Sequence, residues 1–84
     1  MIMATIVGVN LNKGRAVALS ELGDFVLLEI FTDEPEMYDE IKGNFDEHPL
    51  GSETVKNITR GEMMEFFIQD YCSKERAQQY LSGK

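Results

Sequence analysis

The segment Phe25-Val-Leu-Leu-Glu-Ile-Phe31 is apolar on both faces of an extended chain, with Glu29 the one exception. A strand with one wet face alternates apolar and polar residues, so a two-sided apolar run needs cover on each side. Val26, Leu28 and Ile30 are assigned to a closed interior. Phe25, Leu27 and Phe31 then point outward and need a lid supplied from elsewhere in the chain.

Turn signals frame this strand. Residues 2–10 are β-branched and apolar, and Asn10-Leu-Asn-Lys-Gly14 follows them, which marks a first strand and a tight turn. Gly14 is placed where a positive φ is needed. Arg15–Ser20 forms a second strand, with Ala16 and Ala18 on one face and Val17 and Leu19 on the other. Leu22-Gly23-Asp24 turns the chain into the third strand, Phe25–Thr32. These three strands make a meander. Asp33-Glu34-Pro35 breaks the chain, and Tyr38–Phe45 is read as a fourth strand with Ile41, Gly43 and Phe45 on one face. An exposed loop over Asp46–Gly51 leads to a fifth strand, Ser52–Thr59.

Glu62–Tyr71 fits two periods. Met63, Met64, Phe67, Ile68 and Tyr71 share a helical face, whereas Met64, Phe66 and Ile68 alternate as in a strand. The Phe-Phe-Ile cluster after an Arg-Gly turn favours a strand, and a helix there would give an α+β sandwich instead. Ser73 is a good N-cap, Glu75 suits a first turn, and Gly83 suits a stop. Ala77, Tyr80 and Leu81 give this short helix one apolar stripe, so it must dock to be stable. The expected fold is therefore mainly β: a small antiparallel barrel of OB or SH3-like type, with five to six strands and a short C-terminal helix. One domain is expected, since 84 residues is below the usual size at which chains divide. Residues 1–60 are read as the barrel core and 61–84 as an extension.

Charge is unevenly distributed. Residues 1–20 carry Lys13 and Arg15 with no acid, whereas residues 21–53 carry eleven acids against Lys42 alone. With a net charge of −7, the acidic middle repels polyphosphate, and only the ends can present a basic surface. Cys72 stands alone, which fits a reducing compartment. No charged, apolar leader pattern opens the sequence, and no apolar run reaches membrane-spanning length, so a cytoplasmic protein is expected. Asn57-Ile58-Thr59 matches a glycosylation sequon by chance in a strand.

The first half resembles the cold-shock domain, an OB-type barrel that binds single-stranded nucleic acid. Asn10, Lys13-Gly14, Gly23-Asp24 and the three strands around them carry the likeness. Asp39-Glu40-Ile41 and Thr54-Val55-Lys56-Asn57 extend it more loosely, over about residues 4–60. The resemblance implies a base-stacking platform on the outer faces of the first three strands. Its five positions here hold Gly8, Arg15, Val17, Leu27 and Glu29, none of them a ring. Stacking contributes about 1–3 kcal/mol per base, so that affinity is expected to be missing. The chain also resembles short bacterial proteins of no assigned activity that share the two turns and a Gln-rich tail.

Three classes of function compete. The favoured one is a non-catalytic module that contacts another protein or a second copy of itself, through Phe25, Leu27, Phe31, Met63 and Phe67. The alternative is a weak single-strand nucleic-acid binder using Asn10, Asn12, Lys13 and Arg15. An enzyme is disfavoured, because no nucleophile–base pair stands out. No cofactor, metal or membrane contact is expected. His48 with Asp46 and Glu47 lacks ligand spacing and is read as a solvated loop residue. Finally, Glu62–Leu81 is the only apolar material left to cover Leu27, so this strand and helix are expected to lie over part of the platform face.

Overall fold

The computed structural model describes residues 1–31 and 33–83. Six strands form one closed barrel in the spatial order β1-β2-β3-β6-β5-β4. They are β1 (Ile2–Asn10), β2 (Arg15–Ser20), β3 (Phe25–Ile30), β4 (Glu40–Gly43), β5 (Gly51–Asn57) and β6 (Glu62–Cys72), followed by the helix α1 (Lys74–Ser82). Every neighbouring pair is antiparallel. Two three-stranded meanders are thus joined edge to edge, and the chain crosses between them once, from β3 to β4. Closure leaves no sheet edge for unwanted pairing.

The interior follows from strand alternation. Ala4, Ile6, Ala16, Ala18, Val26, Leu28, Ile41, Val55, Met64, Phe66 and Ile68 all point inward, and Phe45 plugs one end. Small alanines on β1 and β2 share this core with the bulky Phe45 and Phe66, a mix of sizes suited to filling a small barrel. Gly14 takes φ 65° at the β1–β2 turn, and its carbonyl accepts the Ile30 N–H at 2.8 Å. That bond ties the turn to the end of β3.

Several boundaries differ from the sequence reading. The fourth strand is only Glu40–Gly43. Tyr38 lies before it with φ 71°, and Phe45 begins a single turn of 3-10 helix, Phe45–Glu47. Ile41, Gly43 and Phe45 still share the buried side, so alternation identified the facing but not the end of the strand. The fifth strand runs Gly51–Asn57, one residue earlier at its start and two at its end. The third strand ends at Ile30; Thr32, assigned to it from sequence, lies outside the described residues. Glu62–Cys72 is a strand, as the Phe-Phe-Ile cluster suggested. It is not an addition to a finished barrel, however. It pairs with β3 on one side and β5 on the other, so residues 1–60 do not close without it.

A buried polar knot holds the crossover in place. The Asp39 carboxylate accepts the Glu36 N–H at 3.0 Å and the Asn57 side-chain amide at 2.9 Å, and Arg60 lies 3.7 Å away. Asn57 is wholly buried, so the sequon asparagine is a structural residue with no accessible amide. The Tyr38 N–H donates to the Ile6 carbonyl, and the Ile6 N–H to the Asp39 carbonyl, both at 2.8 Å. Among the described residues, no helix is long and apolar enough to cross a membrane.

Candidate functional site

Two outer faces of the barrel carry apolar side chains, and the chain treats them differently. On the first, β1, β2 and β3 present Val7, Gly8, Val17, Phe25 and Leu27. A bulge in β1 between Ile6 and Gly8 turns both Val7 and Gly8 outward, while Val9 returns to the core. Helix α1 lies on this face. Val17, Leu27 and Ala77 form a second buried cluster, with Val7, Phe25, Cys72, Tyr80 and Leu81 packed against it. A side chain at Gly8 would run into Leu81, so the glycine is what lets the helix come this close.

The helix is fixed at both ends. Ser73 accepts the Arg76 N–H at its N-terminus, and Gly83 closes the C-terminus in the left-handed region at φ 87°. Its last turn contains no base, yet its C-terminal carbonyls carry the negative end of the helix dipole. The barrel supplies the missing partners. The Asn10 side-chain amide donates to the Leu81 carbonyl at 2.7 Å. Arg15 Nη1 donates to the Tyr80 carbonyl at 2.8 Å, and its guanidinium lies 4.7 Å from the Tyr80 ring centre. The Lys13 side chain runs beside Gly83, close enough that a Cβ there would meet its Cε at 2.7 Å. The Tyr80 hydroxyl donates to the Leu28 carbonyl at 2.9 Å. Burial, then the neighbouring Glu29 carboxylate, pushes that phenol up to about 12, with Arg15 pulling the other way.

The four residues singled out for nucleic acid therefore have separate situations. Asn10 and Arg15 are bonded to helix carbonyls, Lys13 lies along the helix end, and Asn12 is exposed in the turn. The five platform positions also divide. Gly8, Arg15, Val17 and Leu27 meet α1, and Glu29 acts on Tyr80 from beside it. The expectation that residues 62–81 lie over this face is met by the helix alone, because β6 is a barrel wall.

The residues singled out for protein contact separate in the same way. Leu27 is only 1% exposed, and Phe25 packs with it under the helix. Phe31, Met63 and Phe67 lie on the second face. Phe31 and Phe67 meet edge to face, with ring centres 6.5 Å apart, and Phe31 remains 45% exposed. Met63, on the same side of β6, is 59% exposed. Phe67 lies opposite Glu29 on β3 and Ser52 on β5, and Met63 opposite Lys56. An apolar centre is thus set among polar and charged neighbours.

Other polar side chains make contacts between loops and strands. His48 Nε2 lies 2.7 Å from an Asp24 carboxylate oxygen, and its ring meets Tyr71 edge-on at 4.6 Å. The histidine is solvent-exposed on its loop, as expected, and also links that loop to Asp24. The Tyr71 hydroxyl donates to the Pro49 carbonyl. Burial, then Glu53 and Asp24, pushes that phenol up to about 12. Burial and then Asp70 also push the Cys72 thiol up, against a lowering by Arg76, which keeps it from the thiolate form a nucleophile needs. Among the described residues, no group of three or more His, Cys, Asp or Glu is placed to hold a metal ion.

Tyr38, expected to begin the fourth strand, is instead 71% exposed on a backbone in the left-handed region. Nothing local in Pro35-Glu-Met-Tyr38 signals that conformation; it accompanies the bond from the Tyr38 N–H to the Ile6 carbonyl and the tight turn closed by the Asp39 N–H on the Glu36 carbonyl. Comparison with known proteins found no matching family model, no matching curated protein and no matching solved structure.

Proposed function

We propose that this chain is a non-catalytic interaction module of the cytoplasm that docks another protein through the outer face of β6 and the end of β3. The observation that carries this reading is exposed Phe31 meeting half-buried Phe67 edge to face, continued along β6 by exposed Met63. Apolar rings that meet edge to face present a large contact area with few side-chain torsions to order on binding. The other apolar face has its cover already, in α1. A cold-shock-like single-strand binder is the second reading. The engagement of Asn10 and Arg15 by the helix leaves Asn12 and Lys13 as its remaining contacts.

The experiment compares the wild type with Phe31→Ser/Phe67→Ser and with Asn12→Ala/Lys13→Ala. Arg15 is left intact because it caps the helix. Each protein is used in affinity capture from a cell extract, in light scattering for self-association, and in titration with labelled single-stranded RNA at two salt concentrations. Capture or self-association lost in the phenylalanine variant alone supports docking through this face. Salt-sensitive RNA binding lost in the Asn12/Lys13 variant instead favours the nucleic-acid reading.

A further inference from the structure

A half-open cleft of about 170 Å3 lies where α1 meets the barrel, lined by Val7, Gly8, Val17, Phe25, Ala77 and Leu81, with Lys74 and Gln78 on the helix side. Small residues shape it: Gly8 on β1 lets Leu81 seat closely against the strand, and Ala77 on α1 is short beside Val17 and Phe25. An apolar cavity of about 150 Å3 stays dry and accepts benzene, so this one has room for a six-carbon chain or a single ring. Two polar side chains border it, one cationic and one a neutral amide. Lys74 and Gln78 stand one turn apart on the same side of α1, and Lys74 is in none of the ion pairs found among the described residues. The nearby Asp70 carboxylate is paired with Arg76 at 3.5 Å.

We propose that this cleft is a binding site for a small amphipathic monocarboxylate, whose alkyl or aryl end fills the apolar space and whose carboxylate meets the Lys74 ammonium. Charge complementarity selects the class. The cation at the rim attracts an anion, in a protein whose net charge of −7 otherwise repels one. Gln78 offers an amide donor beside it. The site is independent of the Phe31–Phe67 face and stands or falls separately from it.

The test uses the full chain, nitrogen-15 labelled, titrated with hexanoate, hexan-1-ol and hexylammonium as probes. Saturable shifts are expected at the amides of Val7, Gly8, Ala77 and Gln78, with a hexanoate dissociation constant on the order of 1 mM. Hexanoate should bind tighter than hexanol, and hexanol tighter than hexylammonium. Lys74→Gln should weaken hexanoate about three- to tenfold and leave hexanol unchanged. Ala77→Leu should fill the cleft and abolish binding of all three. Val7→Phe, which narrows the cleft from β1, does the same without altering the helix. No saturable shift in the wild type overturns the proposal. So does hexanoate binding that ignores Lys74→Gln, or that survives both filling variants.

Discussion

Arg15 and Tyr80 are joined twice: the guanidinium donates to the tyrosine's carbonyl at 2.8 Å and lies over its ring at 4.7 Å. Sixty-five residues separate them in sequence, so β2 caps a helix it does not adjoin. Arg15→Ala removes a charge-assisted hydrogen bond and a cation–π contact together, at a cost of about 1–2 kcal/mol. Urea denaturation should show the lower midpoint. Amide exchange should speed up first in the last turn of α1, with the barrel amides little changed. Arg15→Lys should recover part of the loss, because an ammonium keeps the charge but not the planar fork.

Gly8 sets how closely α1 sits on β1. Gly8→Ala pushes on the tip of Leu81, a flexible group that can swing into the adjoining cleft, so a loss of about 1 kcal/mol is expected. Gly8→Phe leaves no such escape and should cost about 2–3 kcal/mol while displacing the helix. Combining Gly8→Ala with Leu81→Ala should cost less than the sum of the two single changes, since the second removes the clash made by the first. Thermal melts of the four proteins check the cycle.

Alkaline pH should unfold the chain through two phenols. Tyr71 and Tyr80 ionise near 12 in the folded state, against about 10 in an unfolded chain. Their contribution is fully present below pH of about 10 and is lost as pH rises toward 12, because the unfolded state gives up those protons first. Denaturation midpoints should fall across that window. Tyr80→Phe should flatten the decline in part, and should lower stability at neutral pH by about 1 kcal/mol through loss of the bond to the Leu28 carbonyl.

Alternation made most of the barrel legible. Val26 and Leu28 against Phe25 and Leu27, and Met64, Phe66 and Ile68 on β6, each identified a facing that the structure repeats. Strand ends were less legible, because Phe45 keeps the inward facing after the backbone has left extended geometry. The roles of Asn10 and Arg15 were hidden for a different reason. Polar residues beside a turn look solvated from sequence, and the carbonyls they cap are brought near only by docking of α1. One clue was present, a helix whose last turn carried no base of its own. Tyr38 gave none.

Asp39 is 3% exposed and gathers the Glu36 N–H, the Asn57 amide and Arg60. Asp39→Ala strands buried donors and should cost about 2–4 kcal/mol. Asp39→Asn can keep a carbonyl oxygen where the Glu36 N–H and the Asn57 amide donate, but it removes the charge facing Arg60, so it should recover most of the loss and not all of it. Chemical denaturation ranks the three proteins. Amide exchange at Tyr38 reports whether the crossover has come loose from Ile6.

The placement of α1 over Val17 and Leu27 underlies both the choice of the Phe31–Phe67 face and the cleft. Methyl nuclear Overhauser effects in the full chain measure it directly. Contacts from Leu27 and Val17 to Ala77, and from the Gly8 α-protons to the Leu81 methyls, are the expected result. Absence of those contacts, with Leu27 methyls open to a soluble paramagnetic probe, would contradict it.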